Sequence, residues 1–326
     1  MHRTAITTTR LVNWLEAGRG QGFGKEYHPW LQVTRQDHAS IGQSHILPDP
    51  FIGRQHHLLS NLERAVCVLG MAQPCITDIR EQFPMWPFPH PSPLHELLVA
   101  QGQALPSDIP SDSEGTLALA KQLSLQHARF VGLKVPYIYT TDQLLTVEIP
   151  GRPRFLVALS MKYWSDLRGS TTPQKPKGKK HKQARRRKFQ KLRLEREYWR
   201  RLGVPWLLVT DRLVHQQAYR NLEWALSGAI QRIRDEDVML LKRFLAAWQV
   251  VEWRGRCIDQ MRVIAQALQV NTDTAIRLLK FAILRALIPV DLTRPVHLQL
   301  PFPMGQARAP MALPHWSPLK RLGGRA

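Results

Sequence analysis

Three widely spaced residues, Glu63, Asp142 and Lys162, have side chains of the types that hydrolyse phosphodiesters. Carboxylates bind hard divalent cations such as Mg²⁺ or Mn²⁺, which prefer oxygen ligands. A bound cation lowers the pKa of water and clamps the phosphate. A lysine beside it can orient or deprotonate that water and offset phosphate charge. The types of these three residues are therefore compatible with a metal-dependent phosphodiesterase site.

Each of the three residues also has an ordinary structural explanation. A glutamate near the start of a helix is favoured by the helix dipole. An aspartate is a common turn residue, and a lysine often ends a strand. Two acids and a lysine occur in most sequences of this length, so their types alone leave both interpretations open.

The elements that must position these residues can be placed from local patterns. Residues 58–71 are predicted to be helical, with Ser60 as N-cap and Glu63 at the capping-box position. Residues 76–83 predict a strand. Residues 137–149 predict two strand halves around a bend at Asp142.

Residues 154–162 predict a further strand, which ends at Lys162. This segment is apolar on both faces, which indicates a central strand. A helix from Arg185 onward and a strand at 206–210 follow. An acid at a bend, followed by a strand that ends in x-x-Lys, is the skeleton of a restriction-endonuclease-like, or PD-(D/E)xK, core, and the expected fold class is α/β.

The positive charge of the chain is concentrated in one segment. The net charge is +21, and residues 168–193 hold twelve Lys or Arg residues and no Asp or Glu. Such a segment predicts contact with a nucleic-acid backbone, although a solvated linker or a nuclear-localisation-like run would have the same composition. The candidate DNA-binding residues are Lys175, Lys177, Lys179, Lys180, Lys182, Arg185, Arg186, Arg187 and Lys188.

Cysteine usage and hydropathy indicate a soluble intracellular protein. The three cysteines have no zinc-ligand spacing and do not predict a disulfide framework. No segment has the apolar run of a signal peptide or of a membrane span, so no membrane partner is expected.

The C-terminal third of the chain is predicted to be mainly helical. Four helices are expected, at 221–234, 237–251, 258–268 and 274–287. Two short strands, 288–292 and 296–300, complete a winged-helix-like pattern. The second helix of such a domain often enters the DNA major groove, but 274–287 is largely apolar, which favours a protein partner.

The expected organisation has four parts. Residues 1–57 form an N-terminal arm, and 58–212 form the endonuclease domain. That domain contains a Pro- and Ser-rich loop insertion at 84–115 and a basic loop at 168–188. Residues 213–300 form the winged-helix-like domain. Residues from 301 to 326 form an irregular tail.

Several sequence blocks resemble TnsA, the endonuclease subunit of Tn-seven-like transposons, including those allied with CRISPR targeting systems. The resemblance extends over about residues 15–225. The blocks are 18–22 (GRGQG), 59–63 (LSNLE), 78–84 (DIREQFP), 140–144 (TTDQL), 158–162 (ALSMK), 191–199 (KLRLEREYW) and 209–211 (VTD).

The resemblance implies a specific activity. Proteins of this family cut the 5′, non-transferred strands at the ends of a transposon in double-stranded DNA. A DDE transposase, TnsB, cuts and joins the 3′ ends, and an AAA+ ATPase regulator, TnsC, licenses activity. The resemblance implies that Glu63, Asp142 and Lys162 are catalytic, with Glu63 and Asp142 as metal ligands, and that the protein lies in the bacterial cytoplasm in association with the nucleoid. Ser160 stands where the family can have Gln, and its hydroxyl is a weaker candidate metal ligand.

Two other functions fit the same residues. One is a different PD-(D/E)xK nuclease, such as a restriction or junction-resolving enzyme, because a fold does not fix a function. The other is a DNA-binding scaffold without catalysis, for which the basic segment and a winged helix would be enough.

Overall fold

The structure, a computed structural model, describes residues 6–34, 43–103, 106–107, 109–168, 179–229 and 235–306. The chain divides into two compact units. The first comprises Met1–Leu47, Gln55–Arg64 and Ile76–Asp211, and the second comprises Pro48–Arg54, Ala65–Cys75 and Arg212–Ala326. Among the described helices, none has both the length and the apolar character needed to cross a membrane.

The strands and helices are numbered in chain order. The strands are β1 (His45–Asp49), β2 (Arg54–Leu58), β3 (Ile76–Met85), β4 (His90–Pro91), β5 (Asp112–Ser113), β6 (Tyr139–Val147), β7 (Phe155–Met161) and β8 (Trp206–Val209). The helices are α1 (Thr8–Glu16), α2 (Asn61–Met71), α3 (Pro93–Val99), α4 (Gly115–Gln122), α5 (Trp164–Arg168), α6 (Lys179–Arg201), α7 (Gln216–Ala229), α8 (Asp235–Val250), α9 (Cys257–Leu268) and α10 (Thr272–Leu284).

A four-stranded sheet in the order β3-β6-β7-β8 forms the centre of the first unit. β3, β6 and β7 pair antiparallel, and β8 is parallel to β7. β7 pairs on both sides, which confirms that the segment ending before Lys162 is a central strand. The predicted bend at Asp142 is wrong: β6 is continuous, because pairing with β3 continues on both sides of that residue, at Thr141 and Gln143.

Helix α6 covers one face of this sheet. Its buried side chains Leu194, Tyr198 and Trp199 pack into a core with Leu144 of β6 and Ala158 of β7. The predicted helix start at Arg185 is too late, since α6 begins at Lys179, and most of the second half of the predicted basic loop is helical. Residues 169–178 lie outside the described part of the chain.

Two segments predicted to be irregular contain regular structure. The N-terminal arm includes α1, whose first turn is capped by the Thr7 hydroxyl, and also β1 and nearly all of β2. The insertion at 84–115 contains α3 and the short pair β4–β5. The prolines of the insertion indicated a loop, but Pro93 occupies the first turn of α3, where its missing N–H costs nothing.

The second unit contains α7, α8, α9 and α10. Asn271 caps α10, and its side chain accepts the backbone N–H of Thr274 at 2.8 Å. The predicted strands at 288–292 and 296–300 are absent from the described residues, where a single bridge pairs Val290 with Met304. The buried Asn221 side chain instead holds this segment through the carbonyls of Leu292 and Arg294 and the N–H of Val296.

Helix α10 is enclosed by its neighbours within the second unit. Lys280 lies half-buried, with its ammonium 4.7 Å from the ring centre of Trp224 on α7. Gly228 of α7 approaches the Lys280 side chain so closely that a Cβ there would lie 2.5 Å from it. The basic side chain that a groove-reading helix would present is therefore packed against α7.

Candidate active site

Glu63 lies in the first turn of α2, where the predicted capping interaction is present. The Ser60 hydroxyl accepts the backbone N–H of Glu63 at 3.2 Å and donates to its carboxylate at 3.0 Å. The backbone N–H of Leu59 donates to the other carboxylate oxygen at 2.8 Å. Burial, reinforced by the nearby Asp142 carboxylate, raises the pKa of Glu63 from 4.5 to about 7. The hydrogen bonds at the start of α2 thus hold in place a carboxyl group whose pKa is raised.

Asp142 and Lys162 are brought into direct contact where β6 and β7 end their pairing. Lys162 Nζ lies 2.9 Å from Asp142 Oδ2, and the backbone N–H of Met161 donates to the same oxygen. The backbone N–H of Lys162 donates to the carbonyl of Val209 at 3.0 Å, so β8 fixes the position of the lysine. The two side chains are 15% and 22% exposed, respectively, and so can reach a ligand.

The protonation state of Lys162 follows from its neighbours. Burial alone would lower the pKa of Lys162, but Asp142 first, and also Glu195 and Glu63, raise it above its ordinary value. The side chain is therefore an ammonium at neutral pH. Without a bound metal ion it supplies positive charge and cannot accept a proton.

A fourth residue of the site, Glu195 on α6, was not among the predicted residues. Its carboxylate is buried and accepts hydrogen bonds of 3.1 Å from the hydroxyls of Thr141 and Ser160. Burial first, then the charge of Asp142, raises the pKa of Glu195. The Ser160 hydroxyl is thus engaged in holding a carboxylate.

The sequence did contain a signal for Glu195. The residues three before it and three and four after it, Leu192, Tyr198 and Trp199, are all apolar and buried. These spacings place a charged residue on the buried face of a helix, where carboxylates rarely lie without a specific purpose.

The four charged side chains form one electrostatic cluster. Asp142 raises the pKa of both glutamates, and Lys162 interacts with all three acids. Because the pKa values of Glu63 and Glu195 are raised, the metal-free site carries less negative charge than three ionised carboxylates would give. In the described part of the chain, no three His, Cys, Asp or Glu side chains converge closely enough to form a ready-made metal cage. The oxygens are held by protein donors in the present arrangement.

The predicted DNA-binding residues have different locations. Arg185, Arg186 and Arg187 are exposed on α6, and Lys188 is half-buried beside Asp166 at 3.4 Å. The backbones of Lys179, Lys180 and Lys182 belong to α6, while Lys175 and Lys177 lie outside the described residues. On the same helix, Lys191 lies 5.7 Å from the ring centre of Tyr139. Its charge partly opposes the rise in the pKa of Glu195. Positive charge therefore extends from the exposed turns of α6 toward the acids.

Comparison with known proteins identifies the family of the chain. Residues 73–211 match the family described as TnsA-like endonuclease, N terminal, a range that includes Asp142, Lys162 and Glu195. The chain is also 30% identical over 237 residues to the transposon Tn7 transposition protein TnsA of Escherichia coli. This alignment covers 72% of the chain and 68% of that protein.

The chain belongs to the TnsA-like endonuclease family. The resemblance inferred from short sequence blocks is thereby confirmed, and the protein is a nuclease of mixed α/β fold. Glu63 precedes the matched range, but it lies in the same compact unit as the other members of the site.

Proposed function

We propose that this protein is a metal-dependent DNA endonuclease that cuts the 5′, non-transferred strands at transposon ends in cut-and-paste transposition. The observation that carries the proposal is the meeting of Glu63, Asp142, Glu195 and Lys162 at one end of the sheet. The relative from Escherichia coli is described as a transposition protein, which supports the assignment of the pathway.

The catalytic unit is interpreted as a PD-(D/E)xK core, with Glu63, Asp142 and Lys162 in the catalytic positions. Carboxylates suit Mg²⁺ or Mn²⁺, because hard cations prefer oxygen donors. Burial first, and then the charge of Asp142, raises the pKa values of Glu63 and Glu195. A cation bound by Glu63, Asp142 and Glu195 would favour the ionised form of these acids, so metal binding would release their protons.

The roles of the protein groups follow from their contacts. When bound, the cation supplies a lowered pKa for water and charge neutralisation at the phosphate. Lys162, held as an ammonium by Asp142, offsets the charge that develops on the phosphate. Ser160 is proposed to hold Glu195 through its hydroxyl. Glu195 would then be the metal ligand in place of the Gln that the family can have at the position of Ser160.

Double-stranded DNA is proposed to approach along α6. The exposed side chains Arg185, Arg186 and Arg187 lie two to three turns before Glu195 on the same helix. A helix rises 1.5 Å per residue, so these cations lie about 12–15 Å along the axis from the acid. That spacing allows contact with phosphates on either side of the cut.

The C-terminal unit is proposed to bind protein partners, as a winged-helix-like domain without a strand hairpin. Its α10 is packed against α7, which leaves its basic face poorly placed to read a groove. The partners are inferred to be the DDE transposase TnsB, which would cut the 3′ ends, and the AAA+ regulator TnsC. The proposed location is the bacterial cytoplasm, in association with the nucleoid.

The decisive experiment is strand-resolved cleavage of transposon-end DNA with Mg²⁺, TnsB and TnsC. Wild type is compared with Asp142→Asn, which preserves size, and with Asp112→Asn, an exposed acid of the same unit. We expect Asp142→Asn to lose the 5′-strand cuts and keep the 3′-strand cuts, while Asp112→Asn behaves as wild type.

Other results would identify the alternatives. Equal cuts from wild type and Asp142→Asn would show that the chain is a scaffold and not the nuclease. Cleavage of palindromes or four-way junctions without TnsB and TnsC would indicate a restriction or junction-resolving enzyme.

A further inference from the structure

Gln82 has a backbone conformation that its position in the fold does not explain. It lies within β3, yet its φ is 49°, in the left-handed region. Three other described non-glycine residues have positive φ, namely Ser124, Gln269 and Ala286. Each of those follows the end of a helix, where a left-handed residue is common. A left-handed glutamine inside a strand is strained and requires its own cause.

The strained residue lies opposite Asp142 in the sheet. The ladder between β3 and β6 pairs Glu81 with Gln143 and Phe83 with Thr141, so Gln82 and Asp142 stand between these pairs. Strained residues persist only where their surroundings over-determine them, and they cluster at active sites. Gln82 is strained directly across from a member of the acidic cluster.

The surroundings hold Gln82 firmly on one side. The neighbouring Glu81 carboxylate bonds to His56 at 2.7 Å, with both side chains fully buried. The backbone N–H of His57 donates to the same carboxylate, and the Tyr27 hydroxyl donates to the Glu81 carbonyl at 2.9 Å. These contacts fix the backbone immediately before the left-handed residue.

The side-chain amide of Gln82 connects the sheet to the start of α2. Its Nε2 donates to Glu63 Oε2 at 3.0 Å, and its Oε1 accepts the Thr140 hydroxyl at 3.2 Å. Glu63 Oε2 is the acceptor in this contact, and it also accepts the backbone N–H of Leu59. Gln82 is buried, and both ends of its amide are satisfied.

We propose that Gln82 is a positioning residue that sets the Glu63 carboxylate for metal binding, and that the left-handed backbone is retained for this purpose. Leu59 and Ser60 hold the carboxylate from the residues immediately before α2, but neither connects it to the sheet. Gln82 supplies that relation, because it bonds Glu63 from the strand that pairs beside Asp142. This inference rests on the proposed function, in which Glu63 and Asp142 bind one cation site.

The test separates backbone strain from positioning. Glycine is relaxed at positive φ, and asparagine tolerates it, so Gln82→Gly and Gln82→Asn should both fold. Glycine has no amide, and the asparagine amide is one methylene too short to keep both bonds. Ser124→Gly is the matched control, since it relieves a similar φ of 55° outside the site.

Three measurements are made on the full chain. They are the Tm without metal, the Mn²⁺ dissociation constant by calorimetry, and the Mg²⁺ concentration for half-maximal cleavage with TnsB and TnsC. We expect Gln82→Gly to keep or raise the Tm, because strain is relieved. Both Gln82 variants should bind Mn²⁺ about tenfold or more weakly and require correspondingly more Mg²⁺, as is typical when a partner of a metal ligand is lost. Ser124→Gly should leave both metal dependences unchanged.

Wild-type metal dependences in both Gln82 variants would overturn the positioning role. Glu63→Gln, measured in parallel, tests the proposed function separately. If Glu63→Gln also binds Mn²⁺ and cleaves as wild type does, the metal site itself is misassigned. If only the Gln82 variants are unaffected, the site stands and Gln82 does not position it.

Discussion

The hydroxyl of Ser160 donates a hydrogen bond of 3.1 Å to a carboxylate oxygen of Glu195, and so links the central strand β7 to helix α6. A longer side chain at position 160 would fill the space into which Glu195 reaches. The short serine therefore lets an acid from the helix reach the end of the sheet. Thr141 donates to the other oxygen of the same carboxylate, and Trp199 in turn donates to Thr141 at 2.7 Å.

Substitutions at this pair should separate the metal ligand from its support. Glu195→Gln removes the negative charge and keeps the shape, and we expect it to lower cleavage about 10²-fold or more. Ser160→Ala removes one of two hydroxyl donors to Glu195, and we expect a loss of about tenfold. Single-turnover cleavage of transposon ends at saturating Mg²⁺ measures both. A larger loss in Ser160→Ala than in Glu195→Gln would make Ser160 the ligand.

Removal of the lysine should affect metal binding and catalysis in opposite directions. Lys162→Met abolishes the ammonium that now occupies Asp142 Oδ2. We expect tighter Mn²⁺ binding without DNA, because three carboxylates lose their competing cation, and a fall in cleavage of about 10²–10⁴-fold. Calorimetry and cleavage rates check the two effects. Weaker Mn²⁺ binding in Lys162→Met would show that the lysine supports the cation site instead of competing with it.

The raised pKa of Glu63 should make the metal-free protein less stable at higher pH. Its folded-state pKa of about 7 exceeds its ordinary value of 4.5, so the folded state binds the proton more tightly. This stabilisation is fully present below pH 4.5 and is lost as the pH rises through about 7. Glu63→Gln keeps the cap and cannot ionise.

We therefore expect Glu63→Gln to gain up to about 3 kcal/mol over wild type between pH 5 and pH 8 in the presence of a chelator. Urea unfolding at the two pH values measures the difference. An equal effect of Glu63→Gln at both pH values would contradict a raised pKa.

Much of the site could be predicted from local sequence because local chemistry fixes it. Ser60 and Glu63 are three residues apart, and their cap depends on no distant residue. The strand before Lys162 is apolar on both faces, which only a central strand can satisfy. The position of Asp142 was harder, since a polar Thr-Thr-Asp-Gln run indicates a turn until a neighbouring strand pairs across it.

The residues that the sequence did not predict depend on tertiary contacts. Glu195 becomes part of the site only when α6 is laid on the sheet and Ser160 and Thr141 face it. The predicted hairpin after α10 failed for a related reason. Asn221 of α7 supplies hydrogen bonds to that segment, and so replaces the strand pairing that its apolar pattern indicated.

Two glycines with nearly equal φ should differ sharply in their tolerance of a methyl group. Gly115 and Gly132 have φ of 83° and 80°, respectively. A Cβ on Gly115 would lie 2.5 Å from the carbonyl oxygen of Pro87, whereas nothing lies within 4 Å of one on Gly132. We expect Gly132→Ala to cost about 1–2 kcal/mol from backbone strain alone.

Gly115→Ala should cost at least about 3 kcal/mol, because backbone atoms must also move. The free energies of unfolding, from urea titrations, measure both changes. Equal costs at the two glycines would show that the segment around Pro87 yields easily and does not fix the start of α4.

The exposed arginines of α6 should control the salt dependence of DNA binding. Each phosphate contact by a cation adds about −0.9 to the slope of log K against log salt concentration. Replacement of Arg185, Arg186 and Arg187 by Gln should therefore reduce the slope by up to about 3 and weaken binding to any duplex at low salt. A titration of a duplex of random sequence from 50 to 200 mM salt measures the slope.

The control removes the same number of charges from the second unit. Arg254, Arg256 and Arg262 are 86%, 54% and 63% exposed, and their replacement by Gln changes the net charge equally. If α6 is the DNA-binding surface, the slope of this control stays close to that of wild type. Equal reductions in the two triple variants would mean that binding follows net charge, and the proposed path along α6 would have to be abandoned.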